Sequence, residues 1–165
     1  MTDDAADAFQ HRTVLSDGSV YRVVPVGTGV RAIRAWVEHP WPMTPAQALA
    51  LRDRLGWTSS PTNERMFTTD HDLEEKDASF NTIEAGGDTR TVSSFHLSLT
   101  SRIPKPVRAE AVPITGRAFD AYVEALTAVY GRGTRGKRKQ HASMKWTLPS
   151  DASVRIGTVG WVIGV

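Results

Sequence analysis

The sequence predicts an α+β fold, an antiparallel sheet with two or three helices packed on one face. Three observations carry that expectation. Ser93, Phe95, Leu97 and Leu99 alternate with Val92, Ser94, His96 and Ser98, the period of a half-buried antiparallel strand. Phe119, Tyr122, Val123, Leu126, Val129 and Tyr130 recur at helical spacing, with Asp120 and Glu124 on the other side. From Thr44 to Val165 the two periods succeed one another as helix, three strands, helix, two strands.

Residues 1–16 are expected to form a flexible N-terminal segment, leaving 17–165 as one α+β domain. The first twelve are polar and acidic, with a lone Phe9. Asp17-Gly18 signals a turn. Val20, Tyr21, Val23, Val24 and Val26 then predict a strand over 19–26, at an edge because Pro25 has no N–H to donate. Gly27 and Gly29 break it. Val30, Ile33 and Val37 predict a short helix over 30–38, which Pro40 stops. Pro40, Pro42 and Pro45 stiffen the segment beyond that helix, and whether the bonds before Pro40 and Pro42 are cis is left open.

The next helix has a clear start. Thr44 is a good N-cap, Pro45 suits the first helical position, and Gln47 completes a capping box. Leu49, Leu51 and Leu55 supply apolar side chains, Gly56 fits the left-handed position after a helix, and Trp57 folds back. Residues 58–63 read as a loop. Strands are expected near 66–69 and 80–83, joined by an acidic connection over 70–77. Gly86-Gly87-Asp88 turns the chain into the strand at 92–99. Three prolines make 101–113 a connection. The second main helix starts at Thr115 and ends at Gly131. Met144, Trp146 and Leu148 mark a further strand. Val154, Ile156, Val159, Trp161, Val162 and Ile163 build the last strand or hairpin, with Gly157 and Gly160 suggesting a bend and the apolar end tied into the sheet.

Composition narrows the functional classes. The 165 residues fit one domain with a real core. With no cysteine, a disulfide framework, a thiolate zinc site and a cysteine nucleophile are excluded. The net charge of +2 does not announce a nucleic-acid binder. The basicity is local: Arg132, Arg135, Lys137, Arg138 and Lys139 fall in a stretch free of acids. Without those five, 15 bases face 18 acids, a formal charge of −3. An acidic start without a hydrophobic segment does not read as a secretory signal, and no stretch is apolar enough to span a membrane. A cytoplasmic chain is expected.

Several constellations invite chemistry. Gly131 to Lys137 spells Gly-x-x-x-x-Gly-Lys, but Arg138 stands where a P-loop needs Ser or Thr. A helix also precedes it where a strand should. The plainer reading is a charged loop, solvated or docked on an acidic protein surface. Asp70, Asp72, Glu74 and Glu75, with His71 and Asp77, form an acidic turn without the glycine and spacing of a calcium loop. It reads as solvated or as a second protein-contact patch. His96 beside Ser94 and Ser98 is a conceivable dyad on an exposed sheet face, without a nucleophile elbow. No catalytic residue, metal ligand or cofactor is expected. Trp36, Trp41 and Trp57 flank the proline segment as core or interface residues.

Trp41-Pro42-Met43-Thr44, Leu55-Gly56-Trp57, Phe119, Leu126, Tyr130-Gly131 and Trp146-Thr147-Leu148-Pro149 resemble a group of small actinobacterial proteins often encoded near polymorphic-toxin genes. The resemblance covers roughly residues 36–156; Met43 stands where members usually carry a second aromatic. The element order is similar to that of the secretion-chaperone fold. These resemblances imply a non-enzymatic protein-binding factor, first an immunity protein that neutralises a cognate toxin. The alternatives are a chaperone for a secreted effector and a small hydrolase using His96. The implied partner is a protein, a toxin or effector, with nucleic acid and membrane not expected and a homodimer left open. The expected contact residues are Arg132, Arg135, Lys137, Arg138, Lys139, Asp70, Asp72, Glu74 and Glu75.

Overall fold

A computed structural model describes residues 11–73, 76–136, 141–159 and 163–164. The fold is α+β. In chain order its elements are β1 (Arg12–Val14), β2 (Val20–Arg22), α1 (Val26–Val37), α2 (Pro45–Arg54), β3 (Thr58–Ser60), β4 (Asn63–Thr68), β5 (Ala78–Glu84), β6 (Arg90–Leu97), α3 (Arg108–Tyr130), β7 (Thr134–Arg135), β8 (Ser143–Thr147), β9 (Ser153–Thr158) and β10 (Ile163–Gly164). Two antiparallel sheets, β3-β4-β5-β6 and β10-β9-β8-β7, stand beside the β1-β2 hairpin. Single bridges join all three to the strand that continues past β6, Ser98 to Gly164 and Thr100 to Val23. Helices α1 and α3 pack on each other and on β9, and α2 packs on β6.

Strand β6 departs from simple alternation. Its register against β5 shifts between Asn81 and Thr82, which face Ser94 and Val92, so Ser93 is a bulge. A bulge reverses the faces beyond it. Val92, expected on the polar face, is therefore buried, and Ser93, expected on the apolar face, is exposed.

Helix α1 starts at Val26, earlier than residue 30, and takes in Gly27 and Gly29. The strand before it is correspondingly shorter, Val20–Arg22 rather than 19–26. Gly29 is where α3 crosses: a Cβ there would lie 2.1 Å from the Tyr122 hydroxyl oxygen. That hydroxyl donates to the Val24 carbonyl at 2.7 Å, pinning the start of α1 to the middle of α3. Packing of one helix across another outweighs glycine's poor helix propensity. Full burial pushes the Tyr122 phenol well above its ordinary range.

Helix α3 likewise begins before Thr115, from a 3₁₀ turn at Lys105–Val107, and carries Pro113 inside it. Near the N-terminus proline forfeits one ladder bond, to the Ala109 carbonyl. The sheet also has a strand in the expected loop, since Thr58–Ser60 pairs with β4. Arg12–Val14, placed by sequence in the flexible segment, pairs with Val20–Arg22. Leu15 is buried, and Ser16 donates through N–H and hydroxyl to Glu110 at the start of α3.

Both glycine stops form as expected: Gly56 and Gly131 take positive φ after α2 and α3. The Thr44–Gln47 capping box is complete, and the Trp41–Pro42 peptide bond is cis. The core is aromatic. Trp36, Tyr21, Phe67, Tyr122 and Trp146 are all but fully buried, each contributing about 1.5–3 kcal/mol before entropy. No helix among the described residues is long and apolar enough to cross a membrane.

Candidate functional site

A groove of about 950 Å³ opens between the edge of β6 and the edge of β9. Three elements build it. The buried face of α1 sends Ile33, Trp36 and Val37 to its floor, β6 adds Phe95 and Leu97, and β9 adds Val154. The Trp41-Pro42 segment closes one end, where the Met43 carbonyl accepts the Val92 N–H at 2.8 Å. The Trp36 and Phe95 rings stack with centroids 3.8 Å apart and planes within 4°. Behind them Trp57 and Phe67 lie 6.2 and 6.1 Å from Trp36. Trp41 is half-buried and donates its indole N–H to the Trp36 carbonyl at 3.2 Å. Of the three flanking tryptophans, Trp36 and Trp57 are thus core, and Trp41 is partly open to the groove.

The rim is polar. Asn81 Nδ2 lies 3.1 Å from Ser94 Oγ and 3.2 Å from His96 Nε2, and the hydroxyl and imidazole are 3.3 Å apart. A histidine-activated nucleophile requires a third group to orient the ring. Here the neighbour is an amide, and among the described residues no carboxylate hydrogen-bonds His96. Opposite, Arg155 is exposed and pairs in register with Lys145, so two like charges face solvent side by side on β8 and β9. Such a pair destabilises a free sheet and suits an acidic partner. Neither residue is among the candidates that sequence singles out, although Ser153, Arg155 and Gly157 alternate with Val154 and Ile156.

The charged candidates fall on either side of the groove. Arg132 and Arg135 are exposed at β7, the outer edge of the second sheet, while the acidic connection joins β4 to β5. Strands β6, β10, β9 and β8 lie between them in the order of the sheets. Lys137, Arg138, Lys139, Glu74 and Glu75 lie outside the described residues. The Gly-x-x-x-x-Gly-Lys stretch follows α3 and holds β7 within it, whereas a phosphate loop follows a strand. Gly131 takes a positive φ with open space around it, while Gly133 and Gly136 are close to neighbours: a Cβ at Gly133 would sit 2.9 Å from Trp146, and one at Gly136 would meet the Ser143 hydroxyl.

In the acidic connection Asp77 is committed internally, while Asp70 and Asp72 keep largely exposed side chains beside their partners. Asp77 is 5% exposed and accepts from the Thr69 N–H at 2.8 Å and the Thr69 hydroxyl at 2.5 Å. Asp70 accepts from the Trp57 indole at 3.1 Å, and Asp72 sits 3.8 Å from Arg22. No group of three or more His, Asp or Glu among the described residues is placed to hold a metal.

His71 lies edge-on against Trp57 with its ring 4% exposed. Burial pushes its pKa below the ordinary 6.5, against the opposing pull of Asp70 and then Asp77. The unfolded chain therefore binds a proton that the native state resists, so stability falls as pH drops below about 6.5. Thermal melts between pH 7 and 5 should show a Tm that declines with acidification, and His71→Gln should flatten that decline. An equal slope in the variant would remove His71 as its source.

No curated protein and no solved structure matches this chain. The model of a family of unknown function, DUF6301, matches residues 27–165, from the first turn of α1 to the last residue. The groove and its rim lie wholly inside that span, and the chain belongs to the DUF6301 family.

Proposed function

We propose that this protein is a non-enzymatic protein-binding factor, an immunity protein that neutralises a cognate polymorphic toxin by direct contact in the cytoplasm. The observation that carries the binding reading is the groove: half-buried Trp41 and Phe95 between two strand edges, above a buried apolar floor, with exposed Arg155 on one rim. Apolar concavities with a charged rim are how proteins anchor partners. The toxin setting rests on the resemblance of the Trp41-Pro42, Leu55-Gly56-Trp57 and Trp146-Thr147-Leu148-Pro149 motifs to proteins encoded beside toxin genes.

Co-expression with the product of the adjacent gene, followed by pull-down and a growth assay, tests this reading. Stable complex and restored growth are expected. A complex without rescue would favour a chaperone for a secreted effector. Turnover of a substrate lost on His96→Ala would overturn the reading in favour of a hydrolase. Reversing the charges at Lys137 and Arg138 to Glu should weaken the complex about tenfold at low salt and less at high salt. An unchanged Kd would take the basic loop out of the contact.

A further inference from the structure

We propose that the outer face of β7, β8 and β9 binds the phosphate backbone of a nucleic-acid duplex without reading its sequence. The inference goes beyond the protein-binding reading above. It concerns a surface that adjoins the groove along β9.

The net charge of +2, which speaks against a nucleic-acid binder, conceals a separation of charge. Residues 132–165 hold seven bases and one acid, a formal charge of +6, which leaves 13 bases and 17 acids, or −4, for residues 1–131. The first sheet has the opposite sign: residues 58–97 hold three bases and eight acids, a formal charge of −5. The second sheet is the positive pole of the molecule, and a polyanion is steered toward it.

Strand register gathers part of that charge on one side. Lys145 of β8 stands between Thr134 of β7 and Arg155 of β9, and all three are exposed. The Thr158 N–H bonds the Ala142 carbonyl, so the Ser143–Gly157 pair lying between them is one without mutual hydrogen bonds. The two kinds of pair alternate, so Lys145 and Arg155, two residues along, form another of the same kind. This is the closer spacing of an antiparallel ladder, with Cα atoms about 4.5 Å apart. Among the described residues neither cation forms an ion pair. Asp151, the one acid in residues 132–165, belongs to the turn before β9.

The rest of the face selects phosphate over an acidic protein surface. Ser143 and Gly157 flank the cation pair on one side, Thr147 and Ser153 on the other. The apolar residues of these strands, Met144, Trp146, Val154 and Ile156, alternate with them and are buried on the opposite face. Exposed Val159 lies past the end of β9. A protein interface draws its affinity from an apolar and aromatic centre and is depleted in Lys and Ser. Lysine, arginine and hydroxyl side chains are the groups that hold phosphate oxygens. Without an aromatic ring the face gives unpaired bases nothing to stack on, which favours a duplex over a single strand.

The test is fluorescence anisotropy of the full chain with a labelled DNA duplex of about 20 base pairs. Micromolar binding at 50 mM salt is expected, weakening about 40-fold by 200 mM, the slope for about three phosphate contacts. Lys145→Ala and Arg155→Ala should each weaken binding and lower that slope by about one. Arg65→Ala, exposed on the first sheet, should change neither. A duplex of scrambled sequence should bind equally. No binding at 50 mM salt would overturn the proposal, as would wild-type affinity in both the Lys145 and the Arg155 variants. Tighter binding of the single strand would overturn the choice of a duplex. Displacement by polyglutamate as readily as by unlabelled duplex, charge for charge, would overturn the choice of phosphate and give the face to an acidic protein. If the adjacent gene product binds and the duplex does not, this inference falls and the protein-binding reading stands.

Discussion

Replacing Trp36 with alanine is expected to cost about 3–5 kcal/mol of folding stability, the range for removing a large aromatic from a packed core. Trp36 is 2% exposed and is the one ring in contact with Phe95, Trp57 and Phe67 together. Removing it opens a cavity at the junction of α1, β4 and β6 and deprives Phe95 of its stacked neighbour. For a chain of 165 residues the loss corresponds to a Tm lower by roughly 10 °C. Trp36→Phe should cost much less. The indole N–H of Trp36 has no hydrogen-bond partner among the described residues, so phenylalanine leaves no acceptor there stranded. Urea unfolding of the two variants checks the pair, and a loss below about 1 kcal/mol for alanine would mean that the aromatic stack does not carry the core.

Gly29→Ala is expected to destabilise by about 2–4 kcal/mol, opposite in sign to the gain of about 0.5–1 kcal/mol that alanine normally brings inside a helix. The added methyl would sit 2.1 Å from the Tyr122 hydroxyl oxygen and 2.7–2.8 Å from the ring carbons beside it. Those atoms belong to a buried ring, not to the free end of a flexible chain. The ring must shift, and shifting it withdraws the hydroxyl from the Val24 carbonyl. Gly116→Ala is the control. That helical glycine is exposed, and a Cβ there meets nothing within 4 Å, so alanine should stabilise. If Gly29→Ala and Gly116→Ala both stabilise, α1 and α3 do not approach as closely as described.

The contrast between those two glycines shows what is legible in the sequence. The α+β class, the capping box at Thr44, the glycine stops at Gly56 and Gly131 and the hairpin at Gly86-Gly87 are local signals, and each acts within a few residues. Gly29 reads as a breaker because its reason for being small, Tyr122, lies far along the chain. Ser93 and Val92 exchange faces because a bulge inserts a residue that no alternation announces. Thr58–Ser60 is a strand through its pairing with β4, not through its composition.

The candidate site obeys the same division. Charge clusters are visible in sequence, so the acidic connection and the basic stretch stand out. Asp70, Asp72 and Asp77 turn out to have partners in Trp57, Arg22 and Thr69. The groove arises where β6 and β9, far apart in sequence, leave room beside β10. Phe95 and His96 are legible as residues of a strand, but no spacing rule brings Arg155 or Val154 opposite them.

If this protein works by holding another protein in the groove between β6 and β9, its affinity for that protein must depend on the basic rim. The deciding quantity is the Kd for the adjacent gene product, obtained by calorimetry with wild type and with Arg155→Glu. That exposed substitution relieves the repulsion with Lys145 and should leave folding intact. A complex of micromolar affinity or tighter that weakens about tenfold in the variant is expected. An affinity identical in the two proteins would rule the groove out as the place of contact.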